Sequence, residues 1–303
     1  MGSGMTAIQL GLIEAIAKND QKEIKKLAIA CCNADDTKKN QIQVQYLKNL
    51  LKKQPTLLEL PANISHIVTL QDMSDFREDR YYLSERENVL CEQIIKMHKV
   101  SIKLMELGIP YLNSTLLTGI SGTGKTTFGK YMAYKLKLPF LYVNFSFLIE
   151  SLMGKTSSNI HNIFSFAKAN ACVLMLDEID CIATKRQSSG DSAGREFNNT
   201  TISLLQELDQ LGNDVVVIGA TNVPELIDAA VKRRFSIVHE VEVLDEKENA
   251  EMVQKYLSTV PCTVNDESIV TFVRSTEGKK ISQGIVMNRI IQCIADSLME
   301  SNF

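Results

Sequence analysis

Residues Leu116-Leu117-Thr118-Gly119-Ile120-Ser121-Gly122-Thr123-Gly124-Lys125-Thr126-Thr127 decide how the rest of the chain is read. An apolar strand runs into a glycine-rich turn, and the turn opens a helix. Gly119, Gly122 and Gly124 tolerate backbone angles that other residues avoid, so the amides of Gly119, Ser121, Gly122, Thr123, Gly124 and Thr127 can turn toward an anion at a positively polarised helix start. Lys125 reaches the β- and γ-phosphates, and the Thr126 hydroxyl is a ligand for Mg²⁺. Every required position of GxxxxGK[ST] is filled, which makes the stretch a phosphate cradle for a nucleoside triphosphate.

Outward from the cradle, apolar strands alternate with helical patterns. Strands are expected at Phe140 to Asn144, Cys172 to Leu176, Val215 to Ala220 and His239 to Val243, with a helix carrying Ile160, Ile163, Phe164 and Ala167 between the first two. This alternation predicts an α/β fold, a parallel sheet with helices on both faces and ligand chemistry at the carboxyl ends of the strands. The chain places its polar residues there. Asp177 and Glu178 end one apolar strand, where Asp177 is placed to hold Mg²⁺ opposite Thr126 and Glu178 to polarise an attacking water. Asn222 ends another, level with the γ-phosphate. Arg233 and Arg234 close a short helix away from the chain's own cradle, where they are useful to a neighbouring subunit as donors to a transferring phosphoryl group.

The 303 residues suffice for two or three domains. Residues 5–60 read as a small N-terminal helical unit, with Ile8, Leu12, Ile13 and Ile16 on one helix, an Asp20/Glu23 capping box opening a second, and a third from about Thr37 to Lys53. Residues 61–83 read as a linker with a short strand between Ile64 and Leu70. A helix then resumes at Ser84, showing Val89, Ile94, Met97 and Leu104, and stops at Gly108-Ile109-Pro110. The α/β domain spans 84–244, and helical spacing alone continues over 245–303. Met1-Gly2-Ser3-Gly4 has the look of a cloning remnant.

Composition narrows the function classes. At 45% apolar and 23% charged residues the chain is of ordinary globular type, and no apolar run reaches the roughly 18 residues that a membrane helix needs. A cytoplasmic protein without a membrane partner is expected. The net charge of −3 argues against a broad nucleic-acid surface. Seven scattered cysteines without CxxC spacing suggest buried thiols, and His161 reads as a helix-surface residue.

The ordered set of motifs resembles an AAA ATPase, in the branch containing katanin, spastin and related protein remodellers, over about residues 84 to 300. By resemblance, Gly119 to Thr126 is Walker A, Leu174 to Glu178 is Walker B, Asn222 is sensor 1, and Arg233 and Arg234 are arginine fingers in the short form without a Pro-Gly insertion. The resemblance implies a P-loop NTPase domain with a helical lid over 245–303, ATP and Mg²⁺ as ligands, and a homo-oligomeric, hexameric ring. It implies a motor that threads or tugs a protein substrate, bound through the N-terminal helices and the pore. Leu152, Met153 and Gly154 match the pore loop without its aromatic residue. Ser188 to Asn199 would be a second pore-facing loop, with Arg195 facing a neighbour's nucleotide. The segment from Thr276 to Gly284 resembles the lid-helix start, with Gly284 near the adenine and only Lys279 or Arg289 in place of the sensor 2 arginine. The compact layout is similar to bacterial stand-alone AAA proteins. An ATP-dependent regulatory switch acting on an effector or protease, and a nucleic-acid-handling ATPase, are the alternative functions.

Overall fold

The computed structural model describes residues 5–17, 21–34, 44, 59–151, 156–183, 192–260, 271 and 281–300. It contains two compact units, Met1–Leu60 and Pro61–Phe303. In the first, helix α1 (Ala7–Ala17) opens on a reciprocal cap in which Thr6 and Gln9 each give a backbone amide to the other's side chain, at 2.9 and 3.3 Å. Helix α2 (Gln21–Ala34) packs against it at Gly11, where an added Cβ would stand 3.4 Å from Leu27. The expected third helix lies almost wholly outside the described residues, as does Asp20 of the expected capping box.

The second unit is built on a six-stranded sheet, β1 (Val68–Gln71), β2 (Asn113–Thr118), β3 (Phe140–Asn144), β4 (Val173–Asp177), β5 (Val216–Thr221) and β6 (Ile237–Glu240), in the order β1-β3-β4-β5-β2-β6. All pairs are parallel except β1 with β3. Registers that pair Thr118 with Thr221 and Asn144 with Asp177 bring the carboxyl ends of β2, β5, β3 and β4 to one edge. Residues 61–83, read as a linker with a short strand between Ile64 and Leu70, supply the edge strand β1 and send Phe76 and Tyr81 onto the core. Their apolar residues are spaced irregularly because they pack on the sheet edge and on Tyr131 and Tyr134 rather than forming one regular face.

Strand β2 is buried at all six positions, yet four of its side chains are polar. Three are held by backbone oxygens: Asn113 donates to the Ile94 carbonyl at 3.0 Å, Ser114 to Arg234 at 2.8 Å and Thr118 to His239 at 3.4 Å. Burial of such groups normally goes with partners of this kind, and Thr115 Oγ1, buried without one, is the exception. On one face of the sheet, helix α3 (Glu85–Glu106) begins at Ser84, whose hydroxyl accepts the Glu87 amide, and contributes Leu90, Cys91 and Ile94. Val89, expected on the buried side, is exposed. Helix α4 (Lys125–Leu136) adds Phe128 and Met132, and Gly129 lets it approach β4 so closely that a Cβ would fall 2.9 Å from Met175 Sδ. Helices α5 (Phe145–Ser151), α6 (Thr156–Ala169) and α7 (Ser192–Asp209) and the short α8 (Ala229–Lys232) follow their strands. Because α7 starts at Ser192, the segment 188–199 expected as a loop is helical over its second half, and residues 184–191 lie outside the described set.

After β6, helix α9 (Glu246–Leu257) opens on a complete Asp245/Glu248 capping box and packs against α10 (Gln283–Glu300) through Leu244, Met252, Val253, Val286 and Ile290. Among the described residues no helix is long and apolar enough to cross a membrane. Cys91, Cys172 and Cys293 are buried, and burial pushes the Cys172 thiol up to about 12.

One buried amide sets where the chain enters β2. Asn213 donates to the carbonyls of Ser101 and Ile109 at 3.1 and 2.9 Å and accepts the Tyr111 amide at 3.1 Å, tying the end of α3 and its following loop to the approach of β5. Asn213→Ala strands these groups in the interior. Chemical denaturation should show a loss of about 2–4 kcal/mol, since a buried group without its partner costs roughly 1–3 kcal/mol.

Candidate functional site

The turn from β2 into α4 has the geometry that its glycines permit. Gly119, Gly122 and Gly124 have φ of 135°, 83° and 91°. At Gly119 there is also no room, since a Cβ would lie 2.3 Å from the Val241 carbonyl oxygen. Thr123 closes the loop by donating to Ile120 at 3.0 Å. Lys125 folds back over it and donates to the carbonyls of Gly119 and Ile120 at 2.7 and 2.9 Å. Burial pulls its pKa below the ordinary lysine value, while Asp177 and Asp180 act in the opposite direction.

Asp177, at the end of β4, is the convergence point. Thr126 donates to its Oδ2 at 2.7 Å, Tyr142 donates to the same oxygen at 3.3 Å, and the Glu178 amide donates to Oδ1 at 3.1 Å. A hydroxyl and a carboxylate held face to face are hard oxygen donors, so the chemistry of the pair fits Mg²⁺. Glu178 occupies the left-handed region, with φ 55° and ψ 42°, and starts the short 3₁₀ turn Ile179–Cys181. Such a conformation is unfavourable for a non-glycine residue by about 1–2 kcal/mol and is most often found where function requires it. Asp180 accepts from Thr221 at 2.6 Å, joining the ends of β4 and β5, and Asn222 follows β5 exposed.

A cavity of about 720 Å³ collects Ser121 through Phe128, Asp177, Glu178 and Asn222 on its walls, together with Tyr81, Tyr82, Val241, Leu244, Met252, Tyr256 and Gly284. Its volume and mixed lining suit a nucleotide. The start of α10 reaches the phosphate loop itself: Gly284 donates its amide to the Gly122 carbonyl at 2.9 Å, and Ser282 Oγ would be 2.6 Å from a Cβ on Gly122. The sequence reading put Gly284 near an adenine; the structure shows its backbone against the cradle.

Arg233 and Arg234 do not line the cavity. They also differ from each other. Arg234 is held by Asp209 through two bonds of 3.0 and 2.9 Å, and it donates to the Ala230 carbonyl at 3.1 Å. The Asp209 carboxylate holds its guanidinium above the usual arginine range. Arg233 is exposed, and its side chain has no hydrogen bond or ion pair among the described residues; its amide donates to the Ala229 carbonyl at 3.2 Å. Leu152, Met153, Gly154 and Lys279 lie outside the described residues, and Arg195 is on α7. Sequence reasoning missed Tyr142, Asp180 and Thr221 because no motif spacing marks them; Asp180 and Thr221 sit just past or at the carboxyl end of a strand, and Tyr142 is in the middle of β3.

Residues 115–243 match the family described as "ATPase family associated with various cellular activities (AAA)". A protein of Methanothermobacter thermautotrophicus described as a 26S proteasome regulatory subunit homologue is 28% identical over 83% of this chain and 69% of its own length. The proteasome-activating nucleotidase of Methanocaldococcus jannaschii is 32% identical over 69% of this chain, which spans about half (53%) of that protein. The ATP-dependent zinc metalloprotease FtsH 1 of Phytoplasma mali is 31% identical over 69% of this chain and 35% of its own length. These similarities support the AAA assignment without favouring the katanin and spastin branch named from the sequence. The matched segment, the sheet order and the oxygen and lysine groups gathered at the glycine loop together make residues 115–243 similar to an AAA ATPase domain.

Proposed function

We propose that the larger unit hydrolyses ATP with Mg²⁺ and uses that cycle to remodel or partly unfold a protein partner, as a homo-oligomeric, hexameric ring in the cytoplasm. The carrying observation is the convergence of Lys125, Thr126, Asp177, Glu178 and Asn222 on one cavity beneath the start of α10. Lys125 exchanges its two loop carbonyls for phosphate oxygens. Thr126 and Asp177 would hold Mg²⁺, which would supply charge neutralisation to the triphosphate. Glu178 orients and polarises the attacking water, and Asn222 holds that water or the γ-phosphate. Arg233, exposed and unpaired among the described residues, is offered to the triphosphate of the next subunit, and Arg234 acts beside it under the restraint of Asp209. The N-terminal helices select the client, and Leu152, Met153 and Gly154 face it from the pore. The names of the relatives, a proteasome-activating nucleotidase and an ATP-dependent protease, support a protein as the substrate.

Glu178→Gln should reduce ATP turnover by about 10²-fold or more while leaving ATP affinity within a few fold, because general-base assistance contributes roughly 10²–10⁴. Phosphate release and equilibrium binding measure the two quantities, and normal turnover would remove the assignment. Arg233→Ala should lower turnover by about 10³-fold or more at nearly unchanged affinity. Mixing Arg233→Ala subunits with Lys125→Ala subunits then distinguishes the origin of the arginine: trans donation predicts recovered turnover, whereas an in-cis arginine predicts none.

A further inference from the structure

The three donors that fix the Asp177 carboxylate are held with unequal firmness. Thr126 bonds Oδ2 at 2.7 Å, but its oxygen is also a proposed ligand of Mg²⁺, so its place depends on the metal. The Glu178 amide bonds Oδ1 at 3.1 Å from the next residue of the chain, inside the left-handed turn. Tyr142 bonds Oδ2 at 3.3 Å from a different strand, β3. It is the one donor of the three that neither belongs to the acidic turn nor is proposed to bind the ion.

Tyr142 is itself anchored. Its ring stacks on Phe140 with centroids 6.2 Å apart and packs against the core cluster that contains Phe128 and Met175. Residues 140, 142 and 144 lie on one face of β3, the face covered by α4. Asn144, paired in register with Asp177, ends that row, and its side chain accepts the Phe147 amide at 3.0 Å, which caps α5. Burial holds the Tyr142 phenol above the ordinary tyrosine value, with the Asp177 charge adding to the effect and the Asn144 side chain opposing it, so the hydroxyl keeps its proton. Tyr142 does not line the cavity, so it reaches a bound ligand only through Asp177.

The last torsion of an aspartate is broad, and a modest rotation takes Oδ2 away from the Thr126 hydroxyl. A donor fixed in the sheet restrains that rotation. Contacts one step behind a metal ligand set its orientation and, with it, the affinity for the ion.

We infer that Tyr142 is a positioning residue of the metal site: its hydroxyl, anchored in β3, keeps Asp177 turned toward Thr126 and so sets how much Mg²⁺ is needed to bind nucleotide tightly. This role presupposes the ATPase reading and adds to it a residue outside the glycine loop and the acidic pair. Tyr142 takes no part in the phosphoryl chemistry.

Fluorescence titration of the full chain with N-methylanthraniloyl-ADP, in EDTA and across a Mg²⁺ series, tests this without turnover. In the native chain, affinity should rise with Mg²⁺ to a plateau. Tyr142→Phe keeps the ring and its packing and removes only the donor. It should bind the probe in EDTA within about twofold of the native chain while its Mg²⁺ midpoint rises about tenfold, the lower end of what losing such a contact costs. Excess Mg²⁺ should return the variant to the native plateau, which a distorted pocket would not permit. An unmoved midpoint, or an equal loss of affinity with and without Mg²⁺, would overturn the inference and leave the ATPase reading standing. A native chain that binds the probe but ignores Mg²⁺ would overturn the metal assignment of Thr126 and Asp177 and this role with it. A native chain that does not bind the probe at all would overturn the ATPase reading as well.

Discussion

The contact of 2.7 Å between Thr126 and Asp177 joins the first turn of α4 to the end of β4, and the site exists only because that helix lies close to the sheet. Gly129 makes the approach possible. Any larger side chain there would press on Met175 and Phe140, lift the helix and open the gap between hydroxyl and carboxylate. Backbone packing in the core thus sets the spacing of the groups proposed to hold the metal. The same logic applies at the other end of the turn, where Gly119 lies so near the Val241 carbonyl that the phosphate loop and the strand leading into the lid helices move as one.

A second layer of contacts connects the ends of the strands to each other. Tyr142 from β3, Asp180 after β4 and Thr221 at the end of β5 form hydrogen bonds around the acidic pair. They hold Asp177 and the turn containing Glu178 in place before any ligand arrives, which is what electrostatic preorganisation requires. The strained backbone at Glu178 fits this arrangement, because the neighbouring contacts over-determine its position. The lid helices are tied to the same ground. Arg80 donates to Thr259 at 2.9 Å and lies over the Tyr256 ring, Tyr82 donates to Glu251, and Arg86 pairs with Glu242 and Glu248. Most of these groups are exposed, so each pair contributes little alone, and their value lies in acting together across one seam.

Much of the architecture was legible from local chemistry. Glycines followed by lysine and threonine, and carboxylates directly after an apolar run, carry their meaning within a few residues, so the cradle and the four strands following the cradle helix announce themselves. In segment 61–83 a short strand was legible but the packing of Phe76 and Tyr81 on the core was not, because a few aromatics have no periodicity to detect. Nor did the polar content of β2 suggest complete burial, since the backbone carbonyls that satisfy Asn113, Ser114 and Thr118 come from distant parts of the chain.

The sequence by itself determined that a triphosphate-binding loop, a pair of acids, an amide and two arginines occur in an order that only a strand-helix alternation can bring together. Tertiary structure alone decided the unequal standing of the two arginines: Asp209 reaches Arg234 across 25 residues of sequence and leaves its neighbour exposed. It also decided that Gly284 touches Gly122 and that Glu87 comes to rest beside His239. The physical reason is the same in each case. Adjacent residues share a local environment that spacing can predict, whereas these contacts depend on where separate elements come to rest against one another.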